Sequence, residues 1–165
     1  MSNLHESFTM SQLFTTGFHD QAVAAAAIAH SAGASSGPLY QAKMLLFTNH
    51  ITPTKGTALA DLTECTFSGY AESAAIVVPP PVRNPDGSYD VIVPSQVFQA
   101  ATATPFVGET ALGAALIDSS TPPNLLACGV FDNPVDLSVV GNGVAVTMNL
   151  NYGGPQENSS IETSV

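Results

Sequence analysis

Four histidines are the residues best suited to hold a transition metal, and their positions, His5, His19, His30 and His50, argue against such a site. Zinc needs two or more ligands that one helix face or one hairpin brings together, and neither His-x-x-x-His nor a Cys/His cluster occurs. Asp86, Asp90, Asp118, Asp132 and Asp136 fall in or beside turn sequences. Without a D-x-D-x-D-G loop they read as turn-capping aspartates and not as calcium ligands. A catalytic nucleophile needs a base within hydrogen-bond reach and a third group to orient it, yet there is no G-x-S-x-G elbow and no carboxylate pair set off by a motif. Gly141-Asn142-Gly143 and Gly153-Gly154 are turn glycines lacking the strand-to-helix context of a phosphate loop. Cys65 and Cys128 lack C-x-x-C spacing and read as two buried thiols, since cysteine packs as a small hydrophobe. No catalytic, cofactor-binding or metal-binding residue is assigned, and the chain reads as non-enzymatic.

What remains is architecture, and composition constrains it. The 165 residues suit one domain with an appendage, 45% of them are apolar, and only 10% are charged. Three basic residues (Lys43, Lys55, Arg83) stand against thirteen acidic ones. No cationic surface for a phosphate backbone or an anionic lipid sheet can be built from three, so neither nucleic acid nor membrane is an expected partner. The longest apolar run, Ala22 to Ala29, falls far short of the roughly 20 residues a membrane-crossing helix needs. The first lysine is Lys43, so the N-terminus does not read as a secretory signal.

Along the chain, residues 1–38 form an arm rich in Ala, Ser, His and Gly. Asp20 is placed to cap a short helix from Gln21 to about His30, with Gly33 as its stop. Such a helix is marginal alone. Phe8, Leu13, Phe14 and Phe18, with Val23 and Ile28, concentrate apolar surface where a free tail gains nothing from it. They are the expected contact residues of an arm ordered against a neighbouring chain.

After the Ala34-Ser-Ser-Gly-Pro38 linker, the composition turns to short runs of Val, Ile, Thr, Phe and Tyr separated by Pro, Gly, Asn and Asp. The runs are Ala42–Thr48, Thr63–Tyr70, Ser73–Val78, Tyr89–Val93, Gln96–Ala101, Ala111–Asp118, Leu125–Phe131, Val135–Val140 and Gly143–Asn151. Asn84-Pro85-Asp86-Gly87 predicts a hairpin between the runs ending at Val78 and starting at Tyr89, and Gly141-Asn142-Gly143 predicts another before Val144. Thr57–Thr63 predicts one helical turn with Thr57 as its cap. With no helices to serve as crossovers, the fold class is all-β: an antiparallel β-sandwich of jelly-roll or Greek-key type over residues 39–152, with a partly helical or extended arm before it and a solvated polar tail, 153–165, after it.

The run Met44-Leu-Leu-Phe-Thr-Asn-His-Ile-Thr-Pro-Thr54, followed by Leu59-Ala-Asp-Leu-Thr-Glu-Cys-Thr-Phe-Ser-Gly-Tyr-Ala71, resembles a segment of tailed-bacteriophage structural proteins with the pattern L-x-D-x-T-E-x-x-F-x-G-Y. Leu112 to Phe131 resembles their downstream hairpin. Residues 1–38 fall outside the resemblance, and the tryptophan that often follows the Gly-Tyr strand in those proteins is absent here. Within the motif, Phe67 is the expected core anchor, Tyr70 an apolar ring with a polar tip at the rim, and Gly69 a bulge or close approach. Leu59 and Leu62 are expected to seat the helical turn on the same core. The resemblance implies a virion component assembled in the host cytoplasm. Its first form is a homotrimeric capsid cement or decoration protein whose partners are the major capsid protein or other virion proteins. The alternative is a tail, fibre or head-spike module that binds a host glycan or protein, with Tyr40, Tyr70, Tyr89 and Tyr152 as a platform.

Overall fold

The computed structural model describes residues 40–54, 56–79, 82–85, 89–119, 121–152 and 160–164. Eight strands follow in order: β1 (Tyr40–Phe47), β2 (Ile76–Val78), β3 (Val82–Arg83), β4 (Tyr89–Gln99), β5 (Thr110–Asp118), β6 (Leu125–Asp136), β7 (Gly143–Tyr152) and β8 (Ser160–Ser164), with a single 3₁₀ turn at Leu59–Asp61. They pair into two antiparallel four-stranded sheets, β2-β1-β5-β6 (sheet A) and β3-β4-β7-β8 (sheet B). The fold is all-β and antiparallel.

One apolar cluster draws on both sheets. Met44 and Leu46 of β1, Leu116 of β5 and Leu126 and Phe131 of β6 share it with Val91, Val93 and Phe98 of β4 and Val144, Val146, Met148 and Leu150 of β7. Each such side chain removed from water contributes roughly 1.5–3 kcal/mol before entropy is counted. In sheet B the pattern is the alternation expected of a half-buried sheet: Val144, Val146, Met148 and Leu150 are buried, while Ala145, Thr147 and Asn149 between them are partly exposed. Sheet A differs, because β5 is buried from Ala111 through Asp118 without alternation. A second cluster, Leu45, Phe47, Ala115, Ile117, Leu125 and Cys128, covers its other face. Close packing there requires glycine: a Cβ on Gly113 would collide with the Phe47 ring and the Gly129 carbonyl.

Several sequence expectations are corrected. Tyr89–Val93 and Gln96–Ala101 are one strand, because the Pro94-Ser95 pair is absorbed as a bulge between Val93 and Gln96, where the missing proline N–H costs no ladder bond. The Asn84-Pro85 turn joins β3 to β4 and not β2 to β4, since Val82 and Arg83 pair with Asp90 and Tyr89 while Val78 pairs with Tyr40 in the other sheet. Val135 and Asp136 end β6, and Val139 to Asn142 is a turn closed by the Asn142 N–H donating to the Val139 carbonyl at 3.0 Å, with Gly141 at φ +92°. The sheet continues past residue 152: Ser160–Ser164 pairs with β7, and Thr163 is buried, so the stretch 153–165 is not simply a solvated tail. Thr63–Tyr70 is not a strand; its only pairing is an isolated bridge from Glu64 to Phe47. Thr57 does not cap the 3₁₀ turn. Its hydroxyl accepts the Thr54 N–H, and Asp61 reaches back to the Ala58 N–H at 2.8 Å instead.

Cys65 and Cys128 are free and buried. They belong to different clusters, Cys65 to the one shared by both sheets and Cys128 to the one on the other face of sheet A. Burial pushes the Cys65 thiol up to about 12, with the Glu109 and Glu64 carboxylates adding to the effect, and burial alone pushes Cys128 up to about 11. An unfolded thiol ionises at about 8.5. Stability from the two neutral thiols is therefore complete below that pH and is lost as pH rises toward 11 and 12. The urea midpoint is expected to fall between pH 8 and 10.5, and to fall less in Cys65→Ala. Native protein at pH 8 should leave both thiols unreactive to an aromatic disulfide reagent, with two equivalents reacting once it is unfolded.

Candidate functional site: a strap on one sheet edge and an open face on the other

An interior strand must satisfy backbone donors and acceptors along both edges. β1 meets β5 from Ala42 to Phe47, but on its other edge β2 covers only Tyr40 to Ala42. Beyond Ala42 that edge is met by residues 63–73, which we term the strap. The Met44 N–H donates to Ser73 Oγ at 2.8 Å, and the Met44 carbonyl accepts the Ser73 N–H at 2.9 Å. The Leu46 N–H donates to the Tyr70 hydroxyl at 3.2 Å, and the Leu46 carbonyl accepts the Cys65 N–H at 2.9 Å. The Thr48 N–H donates to the Thr63 carbonyl at 2.8 Å. Two side-chain hydroxyls thus stand where a neighbouring strand would offer carbonyls.

Tyr70 is the pivot of the strap. Its hydroxyl accepts from Leu46 and donates to Glu64 Oε1 at 2.8 Å, while its ring stacks on Phe98 of sheet B at 6.0 Å and tilts against Phe67 at 5.1 Å. Burial pushes the phenol above its ordinary value; the Leu46 N–H opposes this and Glu64 adds to it. Gly69 sits at φ +89°, where a Cβ would lie 2.9 Å from the Ala101 nitrogen. The close approach expected of Gly69 is this contact, and it lets the Ala101 N–H reach the Ser68 carbonyl at 2.8 Å. Ser68 also exchanges two bonds with Val107, and Glu109 accepts both the N–H and the hydroxyl of Thr66. The strap therefore joins the β1 edge of sheet A to the segment following β4 in sheet B. Lys43 and Glu72 pair across it at 2.9 Å; both are partly exposed, so the pair adds little.

Phe67 is buried in the shared cluster as expected. Leu59 and Leu62 are not in that cluster. They pack with Ile51 against the second one, on the opposite face of sheet A, because the loop from Asn49 to Leu62 folds over that face. Asn49 fixes the loop's closure: its Oδ1 accepts the Thr63 N–H at 2.6 Å and its Nδ2 donates to the Asp61 carbonyl at 2.8 Å. The expected contact residues Phe8, Leu13, Phe14, Phe18, Val23 and Ile28 lie outside the described residues.

The outward face of sheet B is different in kind. Val82 is 66% exposed, Ile92 57% and Val97 74%, and the β7 residues beside the last two, Asn149 and Ala145, are uncharged. Sequence reasoning gave Val97 and Ile92 no role, since a strand's two apolar sides are distinguished only by what packs on them. Of the four tyrosines, Tyr70 is engaged in the strap, and Tyr89 and Tyr152 are register partners. Among the described residues no group of three or more His, Cys, Asp or Glu is placed to hold a metal, and no helix is long and apolar enough to cross a membrane.

Tyr70→Phe keeps the ring contacts and removes only the hydroxyl, leaving the Leu46 N–H without its acceptor. A loss of about 1–3 kcal/mol is expected, read as a lowered urea midpoint at unchanged slope; an unchanged midpoint would show that the edge does not rely on this bond. Comparison of the chain with protein-family models, with curated proteins and with solved structures finds no match.

Proposed function

We propose that this chain is a non-enzymatic structural protein of a tailed-bacteriophage virion, a capsid cement or decoration protein that stabilises the shell through subunit contacts. The observation that carries the reading is the strap. Thr63, Glu64, Phe67, Gly69 and Tyr70, five of the seven defined positions of the phage-like motif, are engaged in closing the fold, as expected of a pattern that encodes architecture.

The finer fold reading belongs with this proposal: the two sheets form a sandwich of Greek-key type. After β4 the chain returns to place β5 beside β1, a long-range return that supports the Greek-key reading. An eight-stranded jelly roll would instead pair its first and last strands, whereas β1 and β8 lie in different sheets. On this reading the body sits on the shell as a homo-oligomer, with a trimer preferred, and residues 1–38 tie it to the major capsid protein or to neighbouring copies. Permanent contacts of that kind bury about 2,000 Å² or more, much of it apolar. A net charge of −10 keeps free protomers soluble and repels packaged nucleic acid.

The test is a shell-binding assay with residues 1–38 deleted, checked for folding by circular dichroism. The shortened protein should remain β-rich and no longer bind shells; full decoration would defeat the role given to the arm. Gel densitometry of purified virions should give hundreds of copies. A few to a few dozen would favour the tail, fibre or spike reading instead.

A further inference from the structure

Sheet A is covered on both faces, by sheet B on one and by Ile51, Leu59 and Leu62 on the other. Sheet B has only its inner face covered among the described residues. Its outward side presents Val97, Ile92 and Val82 at 74, 57 and 66% exposure, a row of aliphatics that a solvated face does not require. Ala145, Thr147 and Asn149 of β7 lie alongside, none of them charged, with Asp90 at one end and Glu162, the register partner of Thr147, on the edge strand.

We infer that this face seats residues 1–39 of a second copy of the same chain. The inference rests on the proposal that the arm makes intersubunit contacts, and it names the surface that receives it. Three observations select this occupant. Of the residues outside the described structure, 153–159 are Gly-Gly-Pro-Gln-Glu-Asn-Ser and too polar for an aliphatic face, whereas 1–39 carry Phe8, Leu13, Phe14, Phe18 and Ile28. The arm joins the body at Tyr40, whose register partner Val78 lies four residues before Val82, the first aliphatic of the row. Its length, up to ~130 Å if extended at about 3.3 Å per residue, lets it cross to another copy.

Charge decides which surfaces two copies can share. Eleven of the thirteen acidic residues lie outside the arm, so two bodies repel one another. Glu6 and Asp20 are the arm's only acidic residues, and the sheet B face is equally poor in charge. The two can meet without bringing many carboxylates together.

The test uses the full chain with a benzophenone amino acid at Val97, or at Ile92 should the first substitution disturb folding. After irradiation, a product at twice the 16.9 kDa chain mass is expected, in which the probe is joined to a peptide from residues 1–39. An arm cross-link confined to the single-chain mass, a cross-link to any other peptide, or no cross-link would each overturn the inference. Val97→Asp in the full chain should weaken self-association at least tenfold by sedimentation while leaving the circular dichroism spectrum unchanged; unaltered association would also overturn it. No shells enter either measurement. Cross-linking without shell decoration would sink the proposed function alone, and decoration without cross-linking would sink this inference alone.

Discussion

The structure depends on how β1 completes its second edge. β1 is central to sheet A, bonded to β5 along one side, yet its strand neighbour on the other side ends at Ala42. Left bare, the backbone at Met44, Leu46 and Thr48 would be an open edge beside an apolar core, both a desolvation cost and a template for pairing with another chain. The strap removes that edge without forming a strand. It uses a serine hydroxyl, a tyrosine hydroxyl and three backbone groups in place of a ladder. Because Tyr70 also stacks on Phe98 and Ser68 also binds Ala101, the same segment fixes sheet A to sheet B. Edge closure and the joining of the sheets are one set of contacts.

The two sheets carry unequal burdens as a result. Sheet A, closed at the β1 edge by the strap and covered by the loop from Asn49 to Leu62, is buried on both faces, and its strands read Met-Leu-Leu-Phe, Ala-Leu-Gly-Ala-Ala-Leu-Ile and Leu-Leu-Ala-Cys with little polar interruption. Sheet B has one packed face and one aliphatic face turned outward. For a protein proposed to assemble with copies of itself, that division gives one sheet to stability and leaves the other for contact. The low count of basic residues fits the same picture, since binding of this kind asks for apolar complementarity and not for charge.

Much of this was legible in the sequence where the signal is local. The alternation of Val144, Val146, Met148 and Leu150 marks β7 directly, and the short runs of Val, Ile, Thr, Phe and Tyr separated by Pro, Gly, Asn and Asp after Leu39 point to the all-β class. The strap is legible as a motif but its composition predicts a strand, because Thr, Phe and Tyr favour strands and nothing near Tyr70 announces that its hydroxyl will meet Leu46, 24 residues earlier. The same non-locality hid Glu109, which holds Thr66 from 43 residues away. Leu59 and Leu62 pack as their pattern predicts but on the other side of sheet A, since a residue pattern says that a side chain is buried and not against what. Ser160–Ser164 reads as a solvated end because four of its five residues are polar, yet an edge strand needs mainly backbone pairing with β7.

Native-state hydrogen exchange at the Leu46 amide tests the central claim most directly. If the strap completes the β1 edge, this N–H, bonded to a side-chain hydroxyl alone, should exchange only through global unfolding, with the same free energy as the amides of Ala115 and Leu116 in the middle of sheet A. Exchange of Leu46 through a local opening several kcal/mol below the global value, while those β5 amides stay protected, would show that the strap rests on the edge without closing it.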